Sequence, residues 1–323
     1  MKRTFESKLA PYMQGLVQQK RADGFSYDSG ELLLKRFDTF CAARFPEETT
    51  ITYDMVAAWS EARPGEGDAY HNSRISIVKS LSVYILSLGQ EAYVPTHFSC
   101  KAYRPVLYVP SKEDVRALLS KMEEPTSHNA IQRRMDKECK ILFALYFCCG
   151  LRLSEGRLLK REHVDMERGI LTILESKGHK SRLVYLPPDG IPVMRNYADY
   201  IQSRYPDTPW IFPGFHPDKP VFSGGVESYF KRYWDKLPVS KTVGKHPTPH
   251  CLRHAFVVER MNDWMLRGVD TDKMLPYLSR YLGHKSPDET YYYYHLADKA
   301  FDVIRQKDTV SGRAIPEASR YEE

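Results

Sequence analysis

The chain has 323 residues, 42% of them hydrophobic and 12% aromatic, which is more than one core usually fills and enough apolar material for two. No apolar run approaches a membrane span, and Met1-Lys2-Arg3-Thr4-Phe5-Glu6 does not lead into a signal-peptide core, so a cytoplasmic protein with no membrane partner is expected. A net charge of +6 is compatible with nucleic acid without establishing it. Residues 1–108 hold 13 Lys and Arg against 12 Asp and Glu, so the excess lies downstream, with Lys231, Arg232, Lys236, Lys241 and Lys245 as a candidate basic face. The six cysteines, at 41, 100, 139, 148, 149 and 251, form no Cys-x-x-Cys pair and read as buried free thiols rather than as a disulfide or zinc framework.

In chain order, residues 4–22 read as a helix with Phe5, Leu9, Met13, Leu16 and Val17 on one face. A second runs from about 29 to 45 on Leu33, Phe37, Phe40 and Cys41, and Val56 and Trp59 mark a short third. The fourth, from about 72 to 88, carries Ile75, Ile77, Val78, Leu81 and Leu86 and stops at Gly89. Four helices in so short a stretch make a small bundle. Pro95, Pro105 and Pro110 then punctuate an extended linker, after which Ser111 and Asp114 form a capping-box pattern. A long amphipathic helix spans about 130–149 and ends at Gly150. Residues 169–187 change character: Ile170, Thr172 and Ile173, then Leu183, Val184 and Leu186, flank Lys177-Gly178-His179-Lys180 and predict a hairpin. Further helices are expected near 189–204, 223–237, 249–266 and 271–282, with a short one over 286–294. Pro249 is tolerated in a first turn, which places His250 and Arg253 on the opening turn of their helix. Residues 307–323 are polar and read as a tail.

Five local contexts carry the chemistry. They are Gly150-Leu151-Arg152-Leu153-Ser154-Glu155, Lys177-Gly178-His179-Lys180, His250-Cys251-Leu252-Arg253-His254, Leu282-Gly283-His284 and Tyr293-Tyr294-His295. Taken singly each has an ordinary reading: a surface arginine after a helix stop, a lysine in a turn, a patch of packing aromatics. In this order they resemble the tyrosine recombinase, or phage integrase, family, and the resemblance covers roughly residues 109–300.

A phosphodiester under attack gains negative charge on its non-bridging oxygens, and two planar, permanently charged guanidiniums suit it. Arg152 and Arg253 fit, and the resemblance assigns these positions that role. Lys177, at a hairpin tip, is the candidate acid for the leaving 5′-oxygen; Lys180 is its alternative, and the family pattern favours the first lysine of the turn. Tyr293 would attack phosphorus and store the bond energy as a 3′-phosphotyrosine. In the family the tyrosine follows the Gly-His histidine by nine residues, which selects Tyr293 after His284 over Tyr292 and Tyr294. The resemblance further implies that His250 exchanges the tyrosine proton, that His284 hydrogen-bonds the phosphate and that Glu155 orients the site. His250 and His254, four apart, could grip zinc, but no glutamate of a His-Glu-x-x-His pattern and no evident third ligand accompany them, so neither metal nor cofactor is expected. His254 is expected to pack or hydrogen-bond within its domain. Cys251 departs from the family pattern, which commonly has a polar residue there.

The resemblance implies a mainly α fold with a small β-sheet, in which an N-terminal helical core-binding (SAM-like) domain and a tyrosine-recombinase catalytic domain form a C-shaped DNA clamp. The expected division is 1–89 for the core-binding domain, 90–110 for the linker, 111–306 for the catalytic domain and 307–323 for the tail. The implied activity is site-specific recombination through a phosphotyrosine and a Holliday junction, integrating or excising a mobile element. It would be carried out in the cytoplasm at the nucleoid by a homotetramer on double-stranded DNA with inverted core repeats, joined by accessory proteins where the element uses them. A chromosome-dimer-resolving recombinase is the alternative, followed by a type IB topoisomerase and a catalytically silent DNA-binding regulator.

Overall fold

A computed structural model describes residues 4–25, 27–98, 100, 108–124, 129–176, 180–244, 246–284, 286–293 and 296, without the side chains of 175, 176 and 180. The chain gathers into two compact units, Met1–Pro105 and Val106–Glu323.

The first unit packs α1 (Ala10–Ala22), α2 (Asp28–Arg44), α3 (Tyr53–Trp59) and α4 (Asp68–Ser87) around Leu9, Met13, Phe37, Met55, Trp59, Val78 and Leu81. The first helix begins later than its apolar spacing suggests. Asp38 explains the delay: its carboxylate accepts from the Glu6 and Ser7 amides at 2.9 and 2.8 Å and from Ser7 Oγ at 2.7 Å, so Phe5 and Leu9 reach the core from a turn. Pro11, which has no amide hydrogen to lose, then opens the helix. Buried Arg74 stacks on Trp59 and pairs with Glu66, satisfying a charge inside an otherwise apolar bundle. Part of the stretch expected as linker lies against this unit. The Tyr93 amide donates to Ile51 O at 2.8 Å, and the Tyr93 and Phe98 rings pack on Tyr53.

The second unit contains α5 (Lys112–Lys121), α6 (Ala130–Cys149), α7 (Leu153–Arg157), β1 (Val164–Asp165), β2 (Ile170–Ser176), β3 (Lys180–Tyr185), α8 (Gly190–Arg204), α9 (Ser223–Trp234), α10 (Pro249–Leu266), α11 (Thr271–Leu282) and α12 (Asp288–Tyr291). The Ser111–Asp114 capping box is present at the start of α5. The strands form an antiparallel sheet in the order β1-β2-β3, with Leu171 opposite Val184 and Thr172 opposite Leu183. The hairpin therefore gains a third strand, β1, too short to show as a period in sequence. Among the described residues the last helix is one turn, Asp288–Tyr291, rather than the expected 286–294.

Helix α6 is the spine of this unit. Leu142, Phe143, Tyr146 and Cys149 are buried along it, and α5, α8, α9 and α10 all pack against it. A satellite core of Phe256, Val257, Met261, Leu275 and Leu282 joins α10 to α11. All six cysteines are free; Cys100 is exposed and Cys148 half-buried, so the expectation of burial holds for the other four. Among the described residues no helix is long and apolar enough to cross a membrane, and no three His, Cys, Asp or Glu side chains are placed to hold a metal.

Gly150 makes the turn out of α6 at φ +63°, and a Cβ there would lie 2.6 Å from Phe256 Cδ1 and 3.1 Å from Leu282 Cδ2. Both the left-handed backbone and the contact oppose any side chain. Gly150→Ala should therefore lower stability by about 2–4 kcal/mol and Tm by at least about 5 °C. A thermal melt of the variant that superimposes on the parent's would show that this turn tolerates a side chain.

Candidate active site

The turn at Gly150 delivers Arg152 to the N-terminal boundary of α7, three residues before Glu155. The Glu155 carboxylate accepts from the Arg152 amide at 2.8 Å and from its guanidinium at 2.8 Å, while Arg152 Nη2 donates to Gly283 O at 2.6 Å. A second arginine, not anticipated, shares the carboxylate. Arg182 on β3 donates from Nη1 and Nη2 to the two Glu155 oxygens, each at 2.8 Å, and from Nε to Tyr281 O at 2.7 Å. Strand register held the clue: Leu183 and Tyr185 are exposed while Val184 and Leu186 are buried, so Arg182 lies on the inward face. An arginine in an inward register needs buried acceptors and a compensating charge. Burial pushes the Glu155 carboxyl up, but the hydrogen bonds and charge of Arg182, reinforced by Arg152, bring it down to about 2.

Arg253 projects from the first turns of α10 and is 2% exposed. Its Nη1 donates to Gly150 O at 2.6 Å and its Nη2 to Leu282 O at 2.8 Å, with Glu155 Oε2 4.0 Å from Nη1. Burial, and then the neighbouring Arg152, lower its pKa to about 10, so it remains charged at neutral pH. Cys251, the departure from the family pattern, takes part in the helix start, where its Sγ lies 3.4 Å from the Thr248 amide.

At the end of α11, Gly283 turns the chain at φ +68°, with Arg182 Nη1 and Arg152 Nη1 only 3.2 and 3.4 Å from where its Cβ would be. The next residue, His284, has Nε2 3.1 Å from Arg253 Nη2 and Nδ1 2.8 Å from Thr290 Oγ1. Burial, then Arg253 and Arg152, lower its pKa to about 3, so the ring is neutral at physiological pH.

Tyr293 is 5% exposed, whereas Tyr291 and Tyr292 are each 45% exposed. Its hydroxyl lies 2.7 Å from Nδ1 of His254, a histidine for which the sequence indicated no particular partner. His250, the expected proton partner, is exposed and stands with its ring centroid 4.6 Å from that of His254. Burial raises the Tyr293 phenol to about 12, against the opposing charge of Arg253, while burial and the adjacent His250 lower His254 to about 4. The phenol is therefore the donor and the neutral imidazole the acceptor. Arg152, Glu155, Arg253 and His284 thus share one continuous network; Tyr293 and His250 meet at His254, the residue following Arg253. Lys177 lies outside the described residues, as do the Lys180 side chain, Lys245, Tyr294, His295 and the tail.

Fixed guanidiniums beside a neutral imidazole and a buried phenol suit a phosphoryl centre attacked by a tyrosine. The sequence profile of the Phage integrase family matches residues 110–300. The chain belongs to that family, the tyrosine recombinases, enzymes that cleave and rejoin DNA. Full-length relatives resemble it as well. A protein of Sinorhizobium fredii named in the integrase/recombinase class, y4rB, is 29% identical over 295 residues, covering 87% of this chain and 90% of its own. The tyrosine recombinase XerD of Rhizobium meliloti is 24% identical over 312 residues, covering 94% and 95%. Among solved structures, the Tn1549 transposon integrase in complex with transposon right-end DNA shares the fold at a TM-score of 0.62 with 15% identity, over 92% of this chain and 99% of that one.

Because the folded pKa of Glu155 lies below the ordinary 4.5, its contribution to stability is full above that value and is lost as pH falls toward about 2. Glu155→Gln should cost about 2–4 kcal/mol at pH 7, since it leaves buried guanidiniums without their carboxylate. Urea unfolding of both proteins from pH 7 to pH 2.5 should show the gap narrowing below about pH 4.5. A gap that stays constant into acid would remove the charge of Glu155 from the account.

Proposed function

We propose that the chain is a site-specific recombinase that integrates or excises a mobile element, with Arg152 and Arg253 holding the scissile phosphate and Tyr293 attacking it. The observation that carries this reading is the convergence, on one buried carboxylate and one Gly-His turn, of two arginines separated by a hundred residues in sequence. Their charge exceeds what Glu155 neutralises and matches a phosphate whose oxygens gain charge in the transition state.

In this reading Tyr293 gives its proton up as its oxygen bonds to phosphorus, and a 3′-phosphotyrosine forms while the 5′-oxygen leaves. His254, in direct contact with the phenol, is the first acceptor for that proton, and His250 stands next to it as the route to solvent. Lys177 delivers a proton to the 5′-oxygen. The reverse attack, by a 5′-hydroxyl of a second DNA segment, rejoins the strands and needs no external energy source. Double-stranded DNA with inverted core repeats, a core-binding role for the first unit, a catalytic role for the second with residues 90–110 linking them, clamping of the duplex, a homotetramer, a Holliday junction and action at the nucleoid all belong to this proposal. Accessory proteins would join where the element requires them. Chromosome-dimer resolution is the second reading, since it would use the same chemistry on the same kind of substrate. The DNA around the gene separates the two: an integrase is bordered by inverted repeats and yields an excised circle detectable by outward-facing amplification, whereas a dimer resolvase acts at a chromosomal site elsewhere.

Tyr293→Phe should bind a suicide duplex carrying the core repeats with near-normal affinity and form no covalent adduct on a denaturing gel. An adduct that persists in this variant and disappears in Tyr292→Phe would move the nucleophile.

Arg152→Lys and Arg253→Lys should each cut cleavage by about a hundred-fold or more while binding changes little, because an ammonium cannot reproduce two-point guanidinium contacts. Near-parental rates in both would take these side chains out of the reaction.

For the acid, Lys177→Ala should be slow on ordinary DNA and regain most of its rate when the scissile 5′-oxygen is replaced by sulfur, since a thiolate departs unprotonated. If Lys180→Ala shows that rescue and Lys177→Ala does not, the acid is Lys180.

A further inference from the structure

The His284 ring is held on both sides by groups of different hydrogen-bonding character. Arg253 Nη2 stands 3.1 Å from Nε2, and Thr290 Oγ1 stands 2.8 Å from Nδ1. A guanidinium can only donate. Nε2 therefore accepts, the single ring proton of the neutral imidazole sits on Nδ1, and the Thr290 hydroxyl accepts from it. In this state the nitrogen that faces Arg253 has no proton to offer. A phosphate oxygen is an acceptor, so His284 cannot hydrogen-bond it without changing.

Two changes would give Nε2 a proton. Adding one to make imidazolium is opposed by burial and by Arg253, Arg152 and Arg182, which together depress the pKa to about 3. Moving the ring to its other tautomer keeps it neutral, at the condition that Nδ1 then finds a donor. Thr290 meets that condition. It is fully buried on α12, its amide is already bonded to Pro287 O, and its hydroxyl can turn from acceptor to donor without moving a heavy atom.

We propose that Thr290 lets His284 exchange tautomers: its hydroxyl accepts from Nδ1–H while Arg253 donates to Nε2, and donates to Nδ1 once a phosphate oxygen takes over that Arg253 N–H, so that His284 presents Nε2–H to the phosphate. The proton count of the ring is unchanged. One proton passes from Nδ1 to solvent water and one from water to Nε2 as the DNA seats. Thr290 is a positioning residue, acting on the phosphate only through His284, and the proposal rests on the reading that His284 faces the scissile phosphate. Its consequence is a site that is closed upon itself when empty, with Arg253 and His284 bonded to each other, and that converts both into phosphate donors in one step.

The test reads the tautomer directly. Full-length protein labelled with ¹⁵N-histidine, with His284 assigned by comparison with His284→Gln, should show a protonated Nδ1 and a bare Nε2 at pH 7. The same measurement on the Tyr293→Phe protein bound to the core-repeat duplex should show the reverse. Thr290→Val, which keeps the shape and loses the hydroxyl, should leave the bound ring without a single tautomer and slow cleavage about ten- to a hundred-fold at unchanged DNA affinity. Thr290→Ser should restore both the signal and the rate. A free protein already protonated on Nε2, or a folded Thr290→Val that cleaves at the parental rate, overturns the proposal. Should Thr290→Val fail to fold, the free and bound spectra together with Thr290→Ser still decide it. The underlying site reading fails by a different result: His284→Gln cleaving as well as the parent.

Discussion

One carboxylate holds this active site together. Glu155 accepts from Arg182 through both oxygens and from Arg152 through amide and guanidinium, and it lies 4.0 Å from Arg253. Three guanidiniums brought this close would repel one another strongly in a poorly hydrated site. With Glu155 present the repulsion is reduced but not cancelled, and two positive charges remain. That remainder is the useful quantity. A phosphodiester approaching its transition state carries nearly two negative charges on oxygens that need donors already in place, which under the proposed function is the charge this cluster would meet.

The backbone around the carboxylate serves the same end. Two left-handed glycines, Gly150 and Gly283, bring chain reversals against each other, and the carbonyls of Gly150, Leu282 and Gly283 accept from Arg253 and Arg152. Each arginine is thus aimed by carbonyl acceptors, so its planar fork has little freedom left to lose when a phosphate arrives. Tyr281 O does the same for Arg182 and fastens β3 to the end of α11. Packing and electrostatics are not separable here: the satellite core of Phe256 and Leu282 is what sets the Gly150 turn in reach of Arg253.

The side chains of this cluster also engage one another. The phenol of Tyr293 is raised to about 12 and donates to a neutral His254, and His284 is engaged with Arg253. Among the described residues, Arg152, Arg253, His284 and Tyr293 are each hydrogen-bonded to another protein group. An enzyme that stores a broken strand on its own side chain gains from this arrangement, because a nucleophile that ionised freely would be exposed to side reactions between encounters with its target.

Much of this molecule is legible from residue order alone. The helices α2, α4 and α6 follow from apolar spacing, although Leu34 rather than Leu33 is buried on α2 and Leu86 on α4 is exposed; the glycine that ends α6 follows from backbone sterics, and Arg152, Arg253, His284 and Tyr293 stand out by their local contexts. Those signals are local, spanning a few residues, and a linear chain displays them whole. What the fold alone decided are the partners: Arg182 for Glu155, His254 for Tyr293, Thr290 for His284, and Asp38 for the amides of Glu6 and Ser7, which delays α1. Arg182 and Glu155 are 27 residues apart and His254 and Tyr293 are 39. A hydrogen bond depends on tenths of an ångström between atoms that only the packed chain brings together, so residue types in a row can declare a need for a partner but cannot say which residue supplies it.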